Sequence, residues 1–146
     1  MVYLRKALEA DIPKLYSYLN KKYVERNLKN PADLERKYKE WYKEIIGSPK
    51  FILLIIEDEN RNFIGHIKYK IFSKKIEVMI FIVEEYRNCG IGKEALESSF
   101  MYIDNNKMIV AKILEENQNS KRLFESLGFA YYKQEKEFDL YIKNSN

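Results

Sequence analysis

The spacing of apolar residues predicts strands and helices in alternation, beginning with a short strand at residues 2–7. Asp11 is suited to cap the start of a helix that runs to about Asn20. From residue 33 to residue 46 apolar side chains recur every three or four positions, which predicts a second helix. Gly47 follows this helix, as a glycine commonly does at a helix end.

The apolar pattern then takes the period of strands. Residues 51–57 form an apolar run of strand length, and the polar residues 58–62 indicate a turn. From Ile67 onward apolar residues alternate with lysines, which predicts a second strand, and residues 76–83 predict a third.

The rest of the chain is predicted to alternate between helices and strands. It predicts a helix from Ile91, a strand at residues 107–114, a helix at residues 119–127, and one or two strands within residues 130–143. The full order is β-α-α-β-β-β-α-β-α-β-β if both last strands form. Three consecutive strands followed by a β-α-β unit predict an α/β (α+β) fold, in which helices cover a mixed sheet.

Composition narrows the classes of protein and site. The 146 residues suit a single domain spanning 1–146, and a hydrophobic content of 46% argues against disorder. One Cys and one His are too few for a multi-cysteine or histidine-rich metal site, so we expect no metal. The net charge of +4 is small and dispersed, so we expect no nucleic acid partner.

We also expect no membrane partner. The longest purely apolar run, residues 51–56, is about a third of the ~18 residues needed to cross a bilayer. The first residues lack the charged and then apolar pattern of a secretory signal. These features favour a cytoplasmic protein.

The loop at residues 82–93 is the first candidate site. A strand leads into a turn that contains Gly90 and Gly92, and a helix begins at about Ile91. The first N–H groups of a helix have no partner within it, and glycines let the backbone approach a ligand closely. The loop could therefore hold a pyrophosphate, with Arg87 and Lys93 adding charged contacts. The alternative is an ordinary strand-to-helix turn with solvated basic residues.

A nicotinamide dinucleotide site is the main alternative interpretation of this loop. Gly90-x-Gly92-x-x-Ala95 fits the dinucleotide fingerprint, with Glu115 as the acid expected further on. The position argues against it, because the loop follows a meander and too little chain remains for a doubly wound sheet. A P-loop lacks its first glycine and its Ser or Thr.

A second segment follows one strand later. Asn117 or Asn119 can cap its helix, and Gly128 suits the left-handed residue after the helix end. Phe129 would then pack back on the helix. Taken alone, this segment needs no function to explain it, because its residues suit the start and the end of a helix.

Together the two segments resemble the GNAT superfamily of acyl-CoA-dependent N-acetyltransferases. Arg87-x-x-Gly90-x-Gly92 is similar to the pyrophosphate loop of that family. The later signature of the family is matched by Asn117-x-x-Ser120-x-x-Leu123-Phe124-x-x-x-Gly128-Phe129. The resemblance implies a mostly antiparallel sheet of six to seven strands with about four helices. It also implies transfer of acetyl from acetyl-CoA, as co-substrate, to a primary amine by direct attack in a ternary complex.

The resemblance also implies the residues that bind the cofactor. The strand before the loop would pair its backbone with the pantetheine arm, and the N–H of Ile82 would bind the thioester oxygen. The complete implied set is Ile80, Phe81, Ile82, Arg87, Asn88, Cys89, Gly90, Ile91, Gly92, Lys93, Asn117, Ser120 and Phe124.

The sequence offers several candidates for the catalytic groups. Glu77 is the candidate base, against the alternative of a solvated residue at the strand start. His66 is a weaker candidate, because it shares parity with the lysines and is expected to be exposed. Many relatives have Tyr where this chain has Phe124, and that hydroxyl protonates the leaving thiolate. Tyr131, Tyr132 or Ser120 would have to supply the acid, or the thiolate leaves unaided. Cys89 is interpreted as a small filler in the loop.

The acceptor amine would be selected by the first two helices, through residues 20–30 and the pair Trp41 and Tyr42. This region and Gly65-His66-Ile67-Lys68 faintly resemble relatives that acetylate nucleotide-linked amino sugars. Another small amine or a protein N-terminus remains open, as does a monomer or a homodimer. The alternative function is a non-catalytic module that binds CoA.

Overall fold

The computed structural model describes residues 1–18 and 31–144. Contacts divide the chain into two compact units. The larger unit consists of Met1–Lys6 with Lys50–Asn146, and the smaller one is Ala7–Pro49. Within the described residues, none of the helices combines the length and apolar character needed to cross a bilayer.

The described elements have the predicted order. The strands are β1 (Tyr3–Lys6), β2 (Phe51–Glu57), β3 (Phe63–Ile71), β4 (Lys75–Ile82), β5 (Met108–Leu114), β6 (Ala130–Glu135) and β7 (Phe138–Lys143). The α-helices are α1 (Ile12–Ser17), α2 (Pro31–Gly47), α3 (Ile91–Ser99) and α4 (Gln118–Ser126). Short 3-10 turns lie at Glu9–Asp11, Glu84–Tyr86 and Phe100–Tyr102.

The strands form one mixed sheet in the order β1-β2-β3-β4-β5-β7-β6. The neighbouring strands run antiparallel except β4 and β5, which are parallel because the chain returns through α3 between them. The predicted fold class, a mixed and mostly antiparallel sheet with four helices, is therefore confirmed.

The parallel pair opens part-way along. Residues Lys75–Val78 of β4 pair with Met108–Ala111 of β5, and no pairing continues beyond Val78. On its other side β4 stays paired with β3 as far as Ile82. Among the described residues, the last half of β4 therefore has no strand neighbour on one edge. We call the point where the two strands part, at Val78 and Ala111, the vertex.

The two faces of this sheet differ in chemistry, since side chains alternate between them. The core face carries fully buried residues such as Leu54, Ile67 and Val78, and these pack with Leu96 of α3 and Phe124 of α4. The opposite side carries charged and aromatic residues on its central strands, together with buried apolar residues such as Leu53 and Val110, and we call it the lysine face. Its central residues are His66, Lys68, Lys70, Glu77, Met79, Phe81 and Lys112.

In the smaller unit, apolar side chains of both helices are buried, including Leu15 of α1 and Tyr42 of α2. Burial raises the pKa of Tyr42 to about 12. Asp11 does directly precede α1, but its carboxylate accepts the N–H of Leu8 at 2.7 Å and no α1 N–H. Helix α1 ends at Ser17, three residues before its predicted end. The predicted acceptor segment at residues 20–30 lies outside the described residues.

Candidate functional site

A groove of about 610 Å³ begins where β4 and β5 part. Its walls come from the end of β4, the loop that follows, the start of α3, the end of β5 and α4. The residues that line it are Ile80, Phe81, Ile82, Tyr86, Arg87, Asn88, Gly90, Gly92, Lys93, Leu114, Glu116, Asn117, Asn119, Ser120, Arg122, Leu123 and Ser126.

The backbone of β4 presents hydrogen-bonding groups to this groove. The N–H of Val83 donates to the carbonyl of Ile64 on the β3 side, at 2.8 Å. Because backbone groups of an antiparallel strand alternate in direction, those of Ile82 and Ile80 point away from β3. The Ile82 carbonyl accepts the Nε–H of Arg87 at 2.8 Å. The N–H groups of Ile80 and Ile82 face the side that β5 has left.

A glycine on β3 makes this arrangement possible. Gly65 pairs with Ile82, and a Cβ on Gly65 would lie 2.0 Å from the Phe81 carbonyl oxygen. Since that oxygen belongs to the backbone, it cannot rotate aside as a side chain would. Only glycine fits this close approach between β3 and the open half of β4.

The loop after β4 ends in unpaired helix N–H groups. Asn88 and Gly90 have positive φ angles of 62° and 82°, and Gly90 directly precedes α3. The first N–H to bond within the helix is that of Glu94, which donates to the Gly90 carbonyl at 3.1 Å. The N–H groups of the first three helical residues therefore have no partner in α3, and the helix dipole adds partial positive charge there.

Two side chains brace the loop. The Arg87 guanidinium lies 5.7 Å from the centre of the Phe81 ring, besides its bond to β4. The Cys89 thiol is exposed and donates to the Tyr86 carbonyl at 2.9 Å. Arg87 lines the groove whereas Cys89 does not. Cys89 shapes the turn, as a small filler would.

Helix α3 and α4 meet closely at the groove floor. A Cβ on Gly92 would lie 3.1 Å from Cδ2 of Leu123 and 3.9 Å from Cγ1 of Ile82. A larger residue would have to displace Leu123. Gly92 therefore allows the close packing of α4 against α3.

The start of α4 is fixed by Asn117, the first of the two predicted caps. Its Oδ1 accepts the N–H of Ser120 at 3.1 Å. At the other end, Gly128 has a φ of 92°, and the Phe129 N–H donates to the Phe124 carbonyl at 3.0 Å. The rings of Phe124 and Phe129 pack edge to face with centres 5.0 Å apart. The predicted helix end is therefore confirmed.

An ion pair that the sequence did not indicate holds the turn before α4. The Lys121 Nζ lies 2.7 Å from Oδ2 of Asp139 on β7 and donates to the Glu115 carbonyl at 2.5 Å. Both side chains are largely buried, and the hydrogen bond to Asp139 raises the pKa of Lys121. This ion pair anchors the turn that carries Glu116 and Asn117 to the sheet.

A model of the acetyltransferase (GNAT) domain matches residues 2–130 of the chain. The chain belongs to the GNAT acetyltransferase family. No curated protein matches it significantly.

Solved structures of similar fold include several N-acetyltransferases. A domain from Methanocaldococcus jannaschii is 24% identical with a TM-score of 0.79, and the match covers 99% of this chain and 98% of that one. The PaiA N-acetyltransferase of Thermoplasma acidophilum with coenzyme A is 19% identical with a TM-score of 0.77, and the match covers 99% of each chain. The Vibrio cholerae spermidine N-acetyltransferase with CoA and spermine is 18% identical with a TM-score of 0.76, covering 97% of this chain and 92% of that one.

In this GNAT chain the groove brings together most of the cofactor-binding residues expected from sequence. Three of them stand outside its lining: Cys89, Ile91 and Phe124. Ile91 packs against the apolar core, and Phe124 is 2% exposed within it. The side chain of Phe124 therefore faces the core and not the groove.

The three predicted catalytic residues are not brought together. Glu77 is half-buried on β4 before the vertex, where its Oε2 lies 3.5 Å from Nζ of Lys75. Tyr131 is exposed on the edge strand β6, and its ring packs at 5.8 Å from that of Tyr141. Ile82 lines the groove, and Glu77 and Tyr131 do not.

The expectation that His66 is exposed is wrong. The residue is half-buried, with its ring centre 5.7 Å from that of Phe81. Its Nδ1 is buried without a hydrogen-bond partner among the described residues. Burial, and secondarily the charge of Lys68, lowers the pKa of His66 from 6.5 to about 4. The imidazole is therefore neutral at pH 7.

Sequence reasoning missed part of the groove. The residues not foreseen are Tyr86, Leu114, Glu116, Asn119, Arg122, Leu123 and Ser126. Several of them lie on α4 three or four positions apart, as Asn119, Arg122 and Ser126 do. That spacing defines a polar stripe on one helix face and could have signalled a second groove-lining surface.

Proposed function

We propose that this protein transfers the acetyl group of acetyl-CoA to a primary amine by direct attack in a ternary complex. The open edge of β4 is the observation that carries the proposal. It offers backbone N–H groups at Ile80 and Ile82, at one end of a groove whose other end holds the unpaired N–H groups of α3. A ligand with amides at one end and a pyrophosphate at the other fits both sets of donors.

The same geometry orients the cofactor. With the pyrophosphate at Gly90 and Gly92, the pantetheine arm runs along β4 toward the vertex and takes the place of a paired strand. The thioester is the far end of that arm. Ile82 is the oxyanion donor expected from sequence, and the N–H of Ile80 is a second donor that lies closer to the vertex. Preorganised donors of this kind stabilise charge on the thioester oxygen as it develops.

A neutral amine must attack, so a base has to remove a proton. Glu77 lies three residues from Ile80, about 10 Å along an extended strand, so it would act through water. His66 is the weaker candidate, because it does not line the groove and burial, which lowers its pKa to about 4, disfavours its protonation at pH 7.

Of the three acids expected from sequence for the leaving thiolate, one lines the groove. Ser120 lines it, whereas Tyr131 and Tyr132 are both exposed on β6. Phe124 has no proton to give. Because free thiols have a pKa of about 8.5, unaided departure of the thiolate is also chemically feasible.

Calorimetry with acetyl-CoA tests the groove directly. Gly92→Asp places a carboxylate beside the pyrophosphate and should weaken binding about a hundredfold. Gly92→Asn is the matched control, because it imposes nearly the same crowding on Leu123 without the charge. Equal affinities for the two variants would contradict the placement of the pyrophosphate at the start of α3.

A non-catalytic CoA-binding module is the second candidate function. It is favoured by Phe124, which is buried where many relatives have the tyrosine that protonates the thiolate. Release of free thiol from acetyl-CoA in the presence of an amine panel distinguishes the two functions. Binding without release for every amine would favour the module.

A further inference from the structure

One wall of the groove lies beyond the backbone groups to which we assign the pantetheine arm and the pyrophosphate. Asn119, Arg122 and Ser126 recur every three or four residues along α4, and all of them line the groove. The residue after Arg122, Leu123, packs against the start of α3, since its Cδ2 would lie 3.1 Å from a Cβ on Gly92. Arg122 is therefore next to the proposed pyrophosphate site, on the α4 side of the groove.

The charge of the groove suits a ligand with more than one anionic group. Among the described residues, the groove lining contains the cations Arg87, Lys93 and Arg122 and the single acid Glu116. The Nε–H of Arg87 already donates to the Ile82 carbonyl at 2.8 Å, and Lys93 belongs to the first turn of α3, beside the unpaired N–H groups. Lys93 and those N–H groups suffice for a pyrophosphate. Arg122 is therefore available to a second anionic group.

Asn119 orients the Arg122 guanidinium. The Nη2 of Arg122 donates to Oδ1 of Asn119 at 2.5 Å. A neutral amide fixes the direction of the guanidinium without cancelling its charge. Arg122 forms no ion pair with any carboxylate in the described part of the chain, although Glu125 lies three residues further along the same helix. Because Oδ1 of Asn119 accepts this hydrogen bond, its Nδ2 remains as a second donor. The two side chains together offer a charged donor and a neutral one.

We propose that Arg122 and Asn119 bind the 3′-phosphate on the ribose of CoA, so that the protein distinguishes CoA from ligands with the same pyrophosphate but no such phosphate. This inference rests on the proposed acetyl transfer and concerns the cofactor of that site. In CoA a single ribose separates the 3′-phosphate from the pyrophosphate, and Arg122 adjoins the residue that packs on the proposed pyrophosphate turn. A guanidinium and a phosphate monoester form strong charge-assisted hydrogen bonds.

The test compares two ligands that differ only in the 3′-phosphate. Calorimetry on the unmodified protein should give a Kd about tenfold higher for acetyl-dephospho-CoA than for acetyl-CoA. Raising the salt concentration should reduce this ratio, because salt screens the interaction of an exposed guanidinium with a phosphate. A ratio of one, or a ratio that does not fall with salt, overturns the proposal.

Variants identify the residues responsible, and both positions are exposed, so we expect the variants to fold. Arg122→Met should weaken acetyl-CoA about tenfold and leave acetyl-dephospho-CoA within about twofold, and Asn119→Ala should lower the ratio about threefold. Arg36→Met is the matched control, since it removes an exposed arginine from a helix outside the groove lining and should leave the ratio unchanged. An equal loss for both ligands in Arg122→Met would assign Arg122 to the pyrophosphate and overturn the proposal, as would an unchanged ratio.

Failure of this inference differs from failure of the proposed function. If acetyl-CoA and acetyl-dephospho-CoA bind equally well, the 3′-phosphate site is wrong and acetyl transfer stands. If neither ligand binds in calorimetry, both are wrong. The comparison of the two ligands needs no variant, so it can overturn the proposal even if the variants fail to fold.

Discussion

Protonation of His66 should destabilise the protein in mild acid. Its Nδ1 is buried without a described partner, so the charged imidazolium would lose hydration and gain no hydrogen bond. The pKa of His66 is therefore held at about 4 in the folded protein, against 6.5 for an exposed imidazole. Because the chain contains one His, its titration can be followed without assignment ambiguity.

The direction and size follow from proton linkage. Between pH 6.5 and 4 the unfolded chain binds a proton at His66 and the folded protein does not. The contribution of His66 to the free energy of unfolding is therefore fully present above pH 6.5, and it is lost as the pH falls toward 4. The pKa difference predicts a loss of about 2.5 kcal/mol at about pH 4.5 relative to pH 7.

Two measurements check this prediction. Proton NMR of the imidazole should give a midpoint near pH 4, and urea unfolding should give the free energy at each pH. His66→Phe keeps a ring beside Phe81 and cannot titrate, so subtracting its pH dependence removes that of the carboxylates. A midpoint near 6.5, or an equal loss of stability in wild type and variant, would show that His66 is not held neutral by burial.

Three further variants test the framework of the site. Gly65→Ala should lower the free energy of unfolding by about 3 kcal/mol through its clash with the Phe81 carbonyl, whereas the unobstructed Gly47→Ala should not, as urea denaturation can show. Lys121→Met should lower the Tm and weaken acetyl-CoA binding in calorimetry, because the turn before α4 loses its anchor; retained affinity would argue against that role. Glu77→Gln should lower kcat with little change in acetyl-CoA affinity, and an unchanged kcat across the pH range would remove it as the base.

Local patterns were sufficient for the elements and for part of the site. Residues 51–57 were predicted as a strand, and β2 has those bounds. The start of α3 at Ile91, the Asn117 cap and the left-handed Gly128 were also predicted correctly. In each case neighbours in the chain decide the structure: apolar spacing, a capping side chain and a residue without Cβ act over a few positions.

Helix ends show where this local information becomes insufficient. The three- and four-residue spacing of apolar side chains in α3 continues through Phe100 to Ile103. The α-helix ends at Ser99, and the chain continues as the 3-10 turn Phe100–Tyr102. An apolar stripe shows which side chains face the core and does not show where the backbone stops being α-helical.

Contacts between distant segments decided the rest. The sequence alone determined the family, the order of the elements and the loop that we propose to hold a pyrophosphate. The tertiary structure decided that β5 leaves β4 after Val78, that His66 is half-buried, and that Lys121 reaches Asp139. Strand register and burial depend on which residues from remote parts of the chain become neighbours, and no local period encodes that choice. The open edge of β4 exists only because one strand turns away from another that is some thirty residues distant in the chain.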